Sequence, residues 1–410
     1  MRKLLALALL LAQLTLAKMP LDEFRTRRAN LRKALDGVVV LSGRIEGRDE
    51  VYRSDQEPNF FYLTGWSQPG ARLLVTPVQE ILFLPHHNQR VENFQGKRAA
   101  AEDADARTLT GFDDVLPLEK FELELDKALN ANEKVYALAG QPIADKLKSY
   151  LPFRDIADAT PLIAKLRMKK SPAEIAAIQH STDISLEAQR AAWKRLEPGM
   201  YEYQSSALLW NTYIANGCED VAYSPIVGSG PNSTVLHYSA NQRRMDRGEV
   251  VVMDAAAECD GYASDITRTI PVGGKFNARQ REIYQIVLGA QNAAIAAAKP
   301  GVRMGGPTDS LTKIAKDYMD AHGKDLHGQP IGKYFIHGLG HHVGLQVHDA
   351  GLDVPLEAGM VVTIEPGIYI PEEGIGVRIE DVILITENGA KVLSAALVRE
   401  PNEIEKALAK

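Results

Sequence analysis

The sequence predicts an α+β protein of two domains, and three observations carry that prediction. The chain has 410 residues, more than one ordinary domain holds. Residues 21–162 alternate short helix-like and strand-like runs. Residues 172–322 instead carry four long helix-like runs, with apolar strand pairs between and after them. The boundary falls at 165/166, giving a smaller α/β domain over residues 18–165 and a larger α+β domain over residues 166–410.

In chain order, residues 1–17 join the basic pair Arg2 and Lys3 to an uncharged Leu/Ala-rich stretch ending Thr15-Leu16-Ala17. That is the pattern of a secretory signal peptide, so export to the periplasm or beyond is expected. The apolar run falls short of the roughly 18 residues that span a bilayer, so no stable membrane insertion is expected after cleavage. Residues 21–35 read as a helix, residues 38–41, 72–76 and 81–84 as buried strands, and residues 120–129 and 142–151 as helices around a strand at 135–138. The aromatic stretch 52–66, with Arg53 and Asp55, reads from its residues as a packed loop. A charged joint, residues 167–171, leads into Pro172 and a helix with a Ser171/Glu174 capping box. Further helices are expected at 202–216, 277–299 and 307–322.

Composition narrows the function. With 45% hydrophobic and 24% charged residues, the chain is of the soluble globular type. The net charge of −6, which loss of Arg2 and Lys3 would take to −8, offers no basic surplus for nucleic acid. Two cysteines, Cys218 and Cys259, are too few for a disulfide scaffold and read as small buried hydrophobic residues, with their pairing left open.

The chemistry lies in the second domain. Val250–Asp254 and Asp265–Val272 are apolar strands flanking a turn that contains Asp260-Gly261, a hairpin pattern that puts Asp254 and Asp265 near each other. A second hairpin repeats the plan, with Glu365 closing one strand and Glu380 on its partner across a turn rich in Gly and Pro. Facing one another, the two would gather four carboxylates, which repel unless cations compensate. Oxygen ligands with one imidazole suit a divalent ion such as manganese, cobalt or zinc. Six of the ten histidines lie between His322 and His348. His337 and His341 have the spacing of a helical zinc pair, but Gly338 and Gly340 argue for a loop and no Glu follows His337. These residues alone do not say which His serves the metals and which moves protons.

Residues 254–269, 337–349, 363–369 and 376–381 together resemble the signature blocks of the pita-bread metallopeptidases, in their aminopeptidase P and prolidase branch. Residues 52–66 resemble the N-terminal domain of bacterial aminopeptidase P and some prolidases. The resemblance implies a pita-bread catalytic domain and a metal-dependent Xaa-Pro aminopeptidase. It implies that Asp254, Asp265, His341, Glu365 and Glu380 hold two divalent ions, Mn2+ first and Co2+ or Zn2+ as alternatives, with Asp265 and Glu380 bridging. A hydroxide between the metals would attack the scissile carbonyl while Glu365 relays its proton. His237 matches the histidine that stabilises the oxyanion, His337 and His348 match positions that contact substrate near the proline, and Arg378 matches an arginine that supports the site. Groups that recognise the free amine are expected near the metals and around Tyr223. Ala256 and Cys259 depart from the family's glycine and aromatic residue, which touches local turn shape. The implied substrates are peptides with proline second, and the implied assembly is a homodimer or homotetramer. Three readings compete: an Xaa-Pro dipeptidase with the same site, a methionine aminopeptidase, which the N-terminal domain disfavours, and a non-catalytic peptide-binding module, which would have lost metal ligands.

Overall fold

The structure, a computed structural model, describes residues 19–45 and 55–409. The expected leader, residues 1–17, lies outside the described residues, as do residues 52–54 of the aromatic stretch. The chain divides into two compact units between Leu166 and Arg167. No helix among the described residues is long and apolar enough to cross a membrane.

In the first unit, strands β1 (Val38–Ser42), β2 (Arg72–Val75), β3 (Glu80–Leu84), β4 (Val115–Pro117), β5 (Val135–Ala137) and β6 (Ile156–Asp158) form one mixed sheet in the order β4-β3-β2-β1-β5-β6. Strand β1 is antiparallel to β2 and parallel to β5. Val38, Val40, Leu74 and Phe83 bury against Phe121, Leu125, Ile143 and Leu147 of the helices Phe121–Ala131 and Pro142–Tyr150. One sequence expectation is corrected here, because part of the aromatic stretch is helical, from Pro58 to Thr64. The Glu57 carboxylate caps it by accepting from Phe60 N at 2.6 Å, Pro58 sits in its first turn, and Gly65 ends it at φ 65°. Seven residues are too few for a 3.6-residue apolar pattern to stand out.

In the second unit the Ser171/Glu174 capping box forms as expected and opens the helix Pro172–Arg195. The helices Glu202–Ala215, Ala278–Ala297 and Leu311–His322 follow. Strands β7 (Asp220–Val221) and β8 (Ile226–Ser229) precede two stepped hairpins. The first has an outer pair, β9 (Val250–Asp254) with β12 (Thr267–Pro271), and an inner pair, β10 (Ala257–Cys259) with β11 (Tyr262–Ala263). Its tip is the two-residue turn Asp260-Gly261, with φ of 55° and 73°, a left-handed conformation that Asp tolerates and Gly adopts freely.

The second hairpin steps likewise. Its outer pair is β13 (Val361–Ile364) with β16 (Asp381–Thr386), and its inner pair is β14 (Gly367–Ile370) with β15 (Ile375–Arg378). Strand β17 (Gly389–Val392) continues from β16. The Gly/Pro-rich stretch expected to be all turn is therefore mostly strand, and only residues 371–374 reverse the chain. Both hairpins break between their outer and inner pairs, and the four carboxylates sit at the breaks: Asp254 and Asp265 in the first, Glu365 and Glu380 in the second. Val251, Met253, Ile270, Ile364 and Ile383 bury the strands against Ile283 and Val287 of the helix Ala278–Ala297.

The cysteine expectation is also corrected, since Cys218 and Cys259 are both buried, as read, but form a disulfide with Cα atoms 4.3 Å apart. Their separation of 41 residues gives no hint of this. The pairing of β7 with β10, in the register Ala257 to Val221 and Glu258 to Asp220, brings them together.

Candidate metal centre

The two hairpin breaks open into one cavity of about 600 Å³. Asp254, Asp265, His341, Glu365 and Glu380 all line it, and so do His237, His337, His348 and Arg378. Every site residue expected from the sequence is thus brought to one place.

The position of His341 follows from its loop. Residues 337–349 form no helix, as Gly338 and Gly340 predicted. The loop runs beside β13: Glu365 N donates to Leu339 O at 2.8 Å, Thr363 N to His341 O at 2.9 Å, and His341 N to Thr363 Oγ1 at 3.0 Å. At Gly340 any Cβ would run into the Thr363 carbonyl, so only glycine permits the approach. His341 Nδ1 donates to His342 O at 3.1 Å, which leaves Nε2 to face Asp265 at 3.3 Å and Glu365 at 3.5 Å. Burial opposes a charge on this ring, but the Asp265 and Glu365 carboxylates outweigh it and push its pKa up to about 9.

The carboxylates are buried together. Burial raises the pKa of Asp254 despite Arg378 beside it, brings Glu365 up to about 7, and raises Glu380 well above the usual range, with Asp265 and Glu365 adding to the effect on Glu380. Ligand atoms of Asp265, His341 and Glu380 lie within 4.8 Å of one another. Among the described residues Arg378 is the one Lys or Arg that bonds to these carboxylates, its Nη2 lying 2.6 Å from Asp254 Oδ2. A donor set of hard oxygens and one imidazole Nε2 that a cation would deprotonate, with negative charge in excess of its cations, fits divalent metal ions.

Several partners were not foreseen. Tyr223, around which amine recognition was expected, sets its hydroxyl 2.5 Å from Asp254 Oδ1 and 2.6 Å from Asp265 Oδ1, with one proton shared between the two contacts. Burial and those carboxylates hold the phenol protonated far above its usual range. Thr267 Oγ1 donates to Glu380 at 2.6 Å. Arg378 Nη1 donates to Tyr369 OH, which in turn meets His337 Nε2, both at 2.9 Å. His337 Nδ1 lies 2.8 Å from Gly338 O, a carbonyl that only accepts, so the neutral ring is protonated at Nδ1 and takes the Tyr369 hydroxyl at Nε2. Burial, then Arg378, lowers its pKa to about 4 and keeps it neutral. Arg378 ends β15 and the strand breaks before Glu380, and both side chains line the cavity.

Residues 176–387 match "Metallopeptidase family M24" and residues 24–136 match "Aminopeptidase P, N-terminal domain". The chain belongs to the M24 metallopeptidases, in the aminopeptidase P family. It is 34% identical to a Haemophilus influenzae Xaa-Pro aminopeptidase over 95% of this chain and 98% of that protein. It is 35% identical to a Pyrococcus horikoshii Xaa-Pro dipeptidase over 83% of this chain and 91% of that one. A solved structure of aminopeptidase P from E. coli with the inhibitor Pro-Leu superposes with a TM-score of 0.83 at 30% identity, covering 96% of this chain and 99% of that one.

Proposed function

We propose that this protein is an exported Xaa-Pro aminopeptidase that removes an N-terminal residue from peptides with proline second, using two divalent metal ions, with Mn2+ as the cellular metal. The observation that carries the reading is the convergence of Asp254, Asp265, Glu365, Glu380 and His341 Nε2 on one cavity bordered by His237, His337 and His348. Those five residues would hold the ions, with Asp265 and Glu380 shared. Two bound ions supply Lewis-acid polarisation and a water acidic enough to react near neutral pH.

The chain's own groups do the rest. Glu365 takes up a proton and passes it to the departing proline nitrogen. His237, exposed at the cavity, donates to the oxygen on which charge develops. Arg378 fixes Asp254 through Nη2 and Tyr369 through Nη1, so His337 is held as a wall against which the proline ring packs. His348 contacts the substrate from the same loop as His341, with ring centroids 3.9 Å apart. Proline calls for such a pocket because an Xaa-Pro amide has no N–H to grip.

The Aminopeptidase P N-terminal match favours the aminopeptidase over the dipeptidase reading. The Cys218–Cys259 disulfide supports export, since such bridges persist in oxidising compartments. A homodimer or homotetramer is proposed from family resemblance. Manganese-supplemented hydrolysis of Ala-Pro, Ala-Pro-Ala and a longer Xaa-Pro peptide tests the reading. Cleavage of the longer peptides is expected. Cleavage of Ala-Pro alone would make it a dipeptidase, and metal-loaded protein that cleaves none is not a peptidase of this kind.

A further inference from the structure

Glu202 opens the helix Glu202–Ala215 and is fully buried, yet it takes no part in the metal centre. Its carboxylate accepts a set of hydrogen bonds that all come from one segment, residues 229–243. Oε1 accepts from Ser229 N at 2.8 Å, Ser229 Oγ at 2.7 Å and Asn232 Nδ2 at 3.2 Å. Oε2 accepts from Tyr238 OH at 2.9 Å and Arg243 N at 2.8 Å. Glu202 N donates back to Arg243 O at 3.0 Å.

That segment carries His237 into the cavity. The exposed His237 ring has no hydrogen bond of its own recorded among the described residues, so the backbone of its loop fixes it. The far side of the loop is tied to the second hairpin, through Gly376 N on Ser233 Oγ at 2.7 Å and Arg378 Nη2 on Leu236 O at 3.4 Å. The near side is tied to Glu202, including through Tyr238, the residue next to His237.

We propose that Glu202 is a positioning residue for the peptidase reaction: its buried carboxylate holds the 229–243 loop so that His237 stands over the metal centre. The inference rests on the reading of the site given above. A carboxylate suits the role because it only accepts. A glutamine there, in either orientation, turns its NH2 against the backbone N–H of Ser229 or of Arg243 and leaves one buried donor unpaired.

The test is a double-mutant cycle on a manganese-loaded enzyme cleaving Ala-Pro-Ala, with Glu202→Gln, His237→Ala and the double variant. Glu202→Gln is expected to lower kcat on the order of tenfold to a hundredfold, with KM within about twofold of wild type. In the His237→Ala background the same change is expected to cost less than about twofold, because the group it positions is gone. Equal losses in the two backgrounds overturn the proposal and leave Glu202 a purely structural residue. Normal turnover of His237→Ala overturns it as well, while leaving the peptidase reading intact. Should Glu202→Gln fail to fold, Tyr238→Phe removes one bond of the same set and enters the same cycle. Should the wild-type enzyme cleave nothing, the peptidase reading fails separately, and a crystal structure of Glu202→Gln with His237 in its wild-type place then overturns the positioning claim.

Discussion

The two hairpins of the second unit share a backbone plan and differ in how they hold their carboxylates. In the first, Tyr223 bonds to both Asp254 and Asp265, Arg378 pairs with Asp254, and a disulfide ties the adjacent strand β10 back to Cys218. In the second, Thr267 Oγ1 bonds to Glu380 at 2.6 Å, and Glu365 has Thr363 Oγ1 at 3.4 Å and His341 Nε2 at 3.5 Å. The first hairpin's carboxylates are thus held by a phenol and a guanidinium, whereas the second's rest on threonine hydroxyls and the His341 ring. Neither half is independent of the other. Arg268 of β12, fully buried, donates to Glu380 O at 2.6 Å and to Asp381 at 2.7 Å, so the first hairpin holds the backbone that carries Glu380.

The largest effect is expected from removing a carboxylate proposed to be shared between the two metals. Glu380→Ala or Asp265→Ala is expected to cost on the order of a thousandfold or more in kcat/KM. Metal content measured by elemental mass spectrometry should fall with it, while the protein stays folded by circular dichroism. Next in size, Arg268→Met leaves Asp381 with Ser394, Gln291 and the more distant Arg399, and is expected to cost about 3–5 kcal/mol in urea unfolding. An unchanged midpoint would show that the two hairpins do not depend on this lock.

Cys218→Ser is expected to cost about 3–4 kcal/mol from the opened 41-residue loop. Thiol labelling of unfolded, unreduced wild-type protein should find no free cysteine. Tyr223→Phe should weaken metal binding about tenfold to a hundredfold by calorimetric titration, with little change in stability of the apo protein. An effect no larger than that of Thr267→Val would erase the contrast between the halves.

The smallest effect expected is a pH dependence. Burial, then Lys170, lowers the His342 pKa to about 4, and its buried Nδ1 has no hydrogen-bond partner among the described residues. The unfolded chain takes up this proton below about 6.5 and the folded one only below about 4, so stability is lost as pH falls through that window. His342→Asn should reduce the loss by about 2 kcal/mol between pH 6.5 and 4 in urea titrations.

What the sequence determined by itself was local. Apolar runs flanking the Asp260-Gly261 turn located the first hairpin, and their echo around Glu365 and Glu380 located the second, because turn chemistry and apolar runs act over a few positions. The glycines at 338 and 340 correctly excluded a helical zinc pair. The assignment of His341 to the metals rests on family resemblance, since nothing local separates His337 from His341. The structure separates them by their partners, Tyr369 for one and two carboxylates for the other. The Cys218–Cys259 bridge, the Tyr223 hydroxyl shared 31 and 42 residues away and the Arg268–Asp381 pair 113 residues apart were decided only by the fold. Such contacts depend on how distant strands pack, and packing sets a partner's distance and direction where chain spacing sets neither.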